Sequence, residues 1–176
     1  VELESLGQLC GANAWAEEAL FGLLGAWAAE GSPAMAAAMA DRHSMHHAWR
    51  AQQWRERLPV LADLDPNSLV ADGHGLGPAI ETLVGQSSLA QLVGVYRGLL
   101  PRLVALYRSQ ERLLVEPSDS SAIRTLQLVY PDLVRDWMEG ESCLQELILT
   151  EEQLAGATTV TAAVWTCLLP PTTPSS

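Results

Sequence analysis

Lysine is absent from this sequence, and all ten basic residues are arginines. No Schiff base, lysine nucleophile or P-loop lysine can therefore be invoked. Positive charge is scarce altogether, because 21 acidic residues leave a formal charge of −11 at pH 7. A protein that grips a phosphate backbone needs a basic face to release counterions, so this balance argues against a nucleic-acid partner. Aromatics make up only 6% and isoleucine is sparse, whereas alanine and leucine dominate. That composition favours helix over sheet. The three cysteines, Cys10, Cys143 and Cys167, are odd in number and far apart. They form neither a disulfide framework nor a CxxC pair and read as reduced thiols, Cys10 and Cys143 being small buried residues of helices. No run reaches the roughly 18 apolar residues of a membrane span. Val1-Glu2-Leu3-Glu4 also lacks the basic opening of a secretory signal. The expectation is a cytoplasmic protein without a membrane partner, and 176 residues suit one domain with its own core.

From Glu2 to about Glu30 the apolar stripe Leu6, Cys10, Leu20, Leu24 and Trp27 has helical spacing. Gly31 stops that helix, and Ser32-Pro33 restarts the chain with Ser as N-cap and Pro at the first helical position, the second helix running to about Leu58 before Pro59. Between Pro59 and Gly77 the turn formers Asp65-Pro66-Asn67 and Gly73-His74-Gly75 predict a long connection. A short helix is expected at Pro78 to Val84. A longer one follows from Ser87 or Ser88 to about Leu114, kinked at Pro101, and a last one from about Ser120 to Leu149, kinked at Pro131. These elements predict an all-α fold, a four-helix bundle over 1–150 in which a long crossover joins two hairpins. The β-branched stretch after Glu152 predicts an extended tail over 151–176, ending in disorder.

Polar residues interrupt the stripes that should face a core. Asn13 and Glu17 fall on the line through Leu6, Cys10, Leu20 and Leu24, and an inward carboxylate needs a cation or a partner. The second helix holds three of the four histidines, His43, His46 and His47, followed by Arg50. His43 and His47 are four apart and could ligate one metal, and histidine could equally serve as acid, base or pH-sensitive contact. Periodicity leaves the inward face open: Met35, Met39 and Trp49 point one way, Ala36, Ala40 and Trp54 another. The last long helix carries Asp132, Asp136 and Glu139, opposed on the third by Arg97, Arg102 and Arg108. Arginine–carboxylate pairing is one outcome, with Tyr96 and Tyr107 as donors to a ligand or a network.

Several of these segments together resemble the ferritin-like superfamily, in particular small actinobacterial ferritin-like proteins, over roughly residues 5 to 148. They are Glu17 with Phe21, Ser32-Pro33, Arg55-Glu56-Arg57-Leu58-Pro59, Tyr96-Arg97 through Leu100-Pro101-Arg102-Leu103, and Asp136-Trp137 through Glu139-Gly140-Glu141. The resemblance implies a four-helix bundle and makes Glu17 the metal-binding glutamate. A di-iron site also needs a Glu-x-x-His motif on each of two helices. This sequence has none on the second or last long helix, where His47 and Arg50 stand near the expected place, and the third helix lacks its glutamate.

Three readings follow. In the first, Glu17, His43, His47 and Asp136 converge on one metal ion (iron, zinc or manganese) or on a small ligand, with Asn13, His46, Arg50, Tyr96, Arg97, Asp132 and Glu139 around them. In the second, the scaffold holds no metal and serves as a binding or assembly module, a homodimer with some of its six tryptophans at an interface. The third is metal-free acid–base catalysis by histidine and aspartate.

Overall fold

Apolar residues recurring every three or four positions build six helices among the residues described in this computed structural model, which are 3–30, 33–60, 62–148 and 150–169. They are α1 (Leu3–Glu30), α2 (Ala34–Arg55), α3 (Gly77–Leu83), α4 (Ser88–Gln110), α5 (Ser120–Leu147) and α6 (Glu151–Leu168), with no strand among the described residues. Gly31 and Ser32, expected to stop one helix and cap the next, lie outside those residues. Pro33 is extended and acts as the N-cap of α2, one position later than the sequence predicts.

α1 and α2 pack along their lengths. The inward face of α2 is Ala36, Ala40, His43, His47, Arg50 and Trp54, all buried; of the alternative face Met35 and Trp49 are exposed and Met39 is buried. Small residues at one end of that face let α1 approach. Ser44 Oγ donates to the Phe21 carbonyl at 3.0 Å, stitching the pair together. Pro59 has no N–H to continue α2, and the connection turns through a short 3-10 segment, Pro66–Leu69, which Asp65 caps by accepting the Asn67 N–H. Gly11 lets this connection lie directly on α1, since a Cβ there would stand 2.0 Å from the Leu69 carbonyl oxygen. The Asp72 carboxylate accepts the N–H groups of Leu76 and Gly77 and starts α3.

Pro101 does more than kink α4. The helix widens to a π-turn over Val95–Leu99, where the Leu100 N–H reaches back to the Val95 carbonyl. Pro101 has no N–H to offer Arg97, four residues earlier. Two indoles occupy the carbonyls released there: Trp137 donates to Tyr96 at 2.8 Å and Trp165 to Arg97 at 3.0 Å. α4 is long and apolar enough to cross a membrane by length and composition. Half of its most apolar window is buried against the rest of the protein, with Leu92, Val93, Leu99, Leu100 and Leu103 in the core.

The tail is where the sequence reading fails. Residues 151–168 are helical rather than extended. Thr150 and Gln153 form a reciprocal capping box, a feature worth about 1 kcal/mol. The hydroxyls of Thr158, Thr159, Thr161 and Thr166 each donate to the carbonyl four residues back, which satisfies the β-branched residues inside the helix. Tertiary packing overrides the weak propensity. Ala157, Val164 and Leu168 are buried as α6 lies against α3 and α4, and Gly98 admits Val164, whose Cγ1 would be 2.4 Å from a Cβ there. Residues 170–176, expected to be disordered, lie outside those described.

Candidate functional site

Four helices bring their polar interruptions to one place. α1 contributes Glu17; α2 contributes His43, His46, His47 and Arg50; α4 contributes Tyr96 and Tyr107; and α5 contributes Asp132, Asp136 and Glu139 at helical spacing. Glu17, His43, His47 and Arg50 are fully buried and Asp136 nearly so. Such burial requires partners for every charge.

Arg50 supplies them. Its Nε donates to Glu17 Oε2 at 3.1 Å, and its Nη1 to Asp132 Oδ2 at 2.6 Å and Asp136 Oδ2 at 2.9 Å, so one guanidinium ties α1 to α5. Glu17 also accepts the Tyr107 hydroxyl at 2.6 Å and the His47 Nδ1–H at 2.5 Å, while Trp54 Nε1 donates to the Tyr107 oxygen at 2.9 Å. Burial resists ionisation of Glu17, but Arg50, His47 and the hydroxyl outweigh it and pull its pKa from 4.5 down to about 2. Glu17 is therefore a carboxylate that only accepts, which fixes the His47 tautomer with the proton on Nδ1. Burial, reinforced by the Arg50 charge, keeps His47 neutral by lowering its pKa. Burial alone raises the Tyr107 pKa most, with Glu17 adding to it. His47 Nε2 and Arg50 Nη2 have no hydrogen-bond partner among the described residues.

The other end of the network opens to solvent. His46 Nδ1 donates to Asp136 Oδ1 at 2.9 Å. His43 accepts from the Tyr96 hydroxyl at 2.7 Å and turns Nε2–H toward Glu139 Oε2 at 3.2 Å, with Asp136 Oδ1 at 3.6 Å. Burial lowers the His43 pKa, against the pull of Asp136 and Glu139. Gly140 makes the Tyr96 contact possible, because a Cβ there would lie 2.0 Å from the ring. Glu139 also pairs with the half-exposed Arg42. A groove of about 350 Å³, lined by His46, Trp49, Leu128, Pro131, Asp132 and Arg135, meets this end.

The fit of metal ions differs between the two ends. At the centre, Glu17 is saturated by three donors and a fixed cation stands beside it, so the pair of ions implied by the ferritin-like resemblance does not suit these residues. At the mouth, His46, Asp132 and Asp136 each offer a ligand atom, and the three atoms lie within 4.8 Å of one another, while Arg50 holds only the Oδ2 atom of each aspartate. Ligand bonds of about 2.0–2.2 Å place neighbouring ligand atoms roughly 3 Å apart, which the separation of His46 Nδ1 from Asp136 Oδ1 matches. A cation entering there would replace the proton now held between those two atoms.

The remaining candidates lie elsewhere. Asn13 exchanges two 2.9 Å hydrogen bonds with Gln110, both residues being buried, and accepts from the half-buried His74 Nε2 at 2.7 Å, forming a separate cluster. Arg97 makes a two-pronged pair with Glu141. Sequence reasoning missed Trp54 as a donor, and it missed Gln110 and His74. Gln110 is the last residue of α4, and His74 sits in a glycine-rich turn that reads as a linker. Fold and site together define an all-helical protein with an arginine-centred carboxylate–histidine network that opens into a surface groove. No family model, curated protein or solved structure matches the chain.

Proposed function

We propose that this is a ferritin-like helical protein that has given its central metal position to Arg50 and holds a single divalent cation at the mouth, on His46, Asp132 and Asp136. In that reading α1, α2, α4 and α5 form the four-helix arrangement, joined by the long connection after α2, and the protein works in the cytoplasm. The observation that carries it is the mutual proximity of one imidazole and two carboxylates at a groove. Three protein ligands with open positions toward solvent suit an ion that polarises or oxidises a small molecule in the groove, and mixed imidazole and carboxylate donors suit zinc, iron or manganese. Elemental analysis after anaerobic incubation with each metal tests this. About one ion per chain, lost in His46→Ala and Asp132→Asn and retained in Glu17→Gln, is the expected result; an absence of bound metal under all three conditions would sink it.

A second reading, the metal-free binding or assembly module, is favoured by one feature: Arg50 already reaches both aspartates of the mouth. In this case the exposed Phe21, Met45, Trp49 and Leu128 would serve a homodimer. Sedimentation of the metal-free protein as a monomer would count against it.

A further inference from the structure

We propose that the cavity between α4 and α5 is a separate binding site for a small apolar amine, a ring or branched chain bearing one protonated nitrogen. The cavity measures about 310 Å³ and is lined by Tyr107, Glu111, Ile123, Leu126, Gln127, Tyr130 and Pro131. That volume lies at the lower end of small-molecule pockets, which run from about 300 to 1,000 Å³.

The deep wall is apolar because Tyr107 is fully buried and its hydroxyl is committed to Glu17 and Trp54, which leaves only its ring available to the cavity. Ile123, Leu126 and Pro131 continue that wall. Aromatic faces carry the negative side of the ring quadrupole, so they accept either an apolar group or a cation. The polar features point the same way. Pro131 has no N–H for the carbonyl of Gln127, four residues before it on α5, and both residues line the cavity. Among the described residues Glu111 is the only charged side chain in the lining. Its pairing with Arg108 at 3.0 Å joins two side chains that are both more than half exposed, a contact worth little and open to competition. An apolar floor with a carboxylate at its edge selects an apolar body with a donating cation and rejects an anion, and the net charge of −11 adds to that preference.

None of the three residues assigned to the metal lines this cavity, so the two proposals stand or fall separately. The test is titration of the metal-free protein with benzylamine, benzyl alcohol and benzoate, read by calorimetry and by the Ile123 methyl resonances. Benzylamine should bind saturably, benzyl alcohol more weakly, and benzoate least. Glu111→Gln should cost the amine about threefold in affinity and narrow its advantage over the alcohol. Leu126→Trp should fill the cavity and weaken benzylamine roughly tenfold or more. Should that variant not fold, Tyr130→Ala, which removes a partly exposed wall, should still weaken benzylamine severalfold. The proposal is overturned by an absence of saturable binding, by benzoate binding as tightly as benzylamine, or by affinity unchanged in the folded wall variants.

Discussion

The two ends of the polar network use the same residue types for opposite ends. At the closed end Glu17, His47, Tyr107 and Trp54 surround Arg50 out of reach of water, and the carboxylate has three fixed donors. At the open end His46, Asp132 and Glu139 are partly exposed; Glu139 pairs with the surface Arg42, and Asp132 is shared between the surface Arg135 and the buried Arg50. Burial converts an acid into a structural element by forcing it to hold a permanent counter-charge, whereas exposure leaves spare capacity for a ligand. Stability should therefore depend on the closed end and binding on the open one.

The sharpest way to break this contrast is Arg50→Met. It leaves Glu17 and Asp136 buried without their cation and should cost about 3–5 kcal/mol, read as a lower urea midpoint at neutral pH. Adding Glu17→Gln should recover part of that loss, because it removes one stranded charge. Gly140→Ala forces a methyl against the Tyr96 ring and should cost about 1–3 kcal/mol by overpacking.

Acid should act in two stages. His43 and His47 have folded pKa values below the ordinary 6.5. The unfolded chain therefore binds more protons below that pH, and stability falls as pH drops from 6.5 toward the folded values. The slope is about 1.4 kcal/mol per pH unit for each proton taken up on unfolding. Glu17, ordinarily 4.5 and held at about 2, adds stability that is complete above 4.5 and lost between 4.5 and 2. Denaturant melts of the metal-free protein across pH 7 to 3 read both. A midpoint that stays flat between pH 7 and 5 would contradict the buried neutral histidines.

The smallest effects belong to the open end. Arg42→Ala breaks a half-exposed pair with Glu139 and should change stability by less than about 1 kcal/mol. His46→Ala should do no more to the metal-free protein, yet it should remove any rise in melting temperature produced by zinc or manganese.

Much of this contrast lay within the sequence, but not its geometry. Helical spacing marks Glu17 as inward, and the i, i+4 relation of His43 and His47 puts both on one face. Periodicity cannot decide which of two candidate faces turns inward, and the structure chooses Ala36, Ala40 and Trp54, whose end of α2 is small enough to approach α1. Nor can spacing within α2 show that Arg50 reaches two other helices at once, since that depends on how α1 and α5 pack. Pro101 reads as a kink, but the π-turn depends on two tryptophans distant in sequence, Trp137 and Trp165. The α6 error had a remedy in the sequence: Thr150-x-x-Gln153 is a capping-box pattern, and it outweighs the β-branched run that follows.

The central claim is that Arg50 has taken the place of a metal at the centre and that a metal binds only at the mouth. Crystals soaked in a zinc or manganese salt, with diffraction recorded at the absorption edge of that metal, test it most directly. The account predicts one anomalous peak among His46, Asp132 and Asp136, with Arg50 still bonded to Glu17. A peak between Glu17 and His47, with Arg50 displaced, would contradict it.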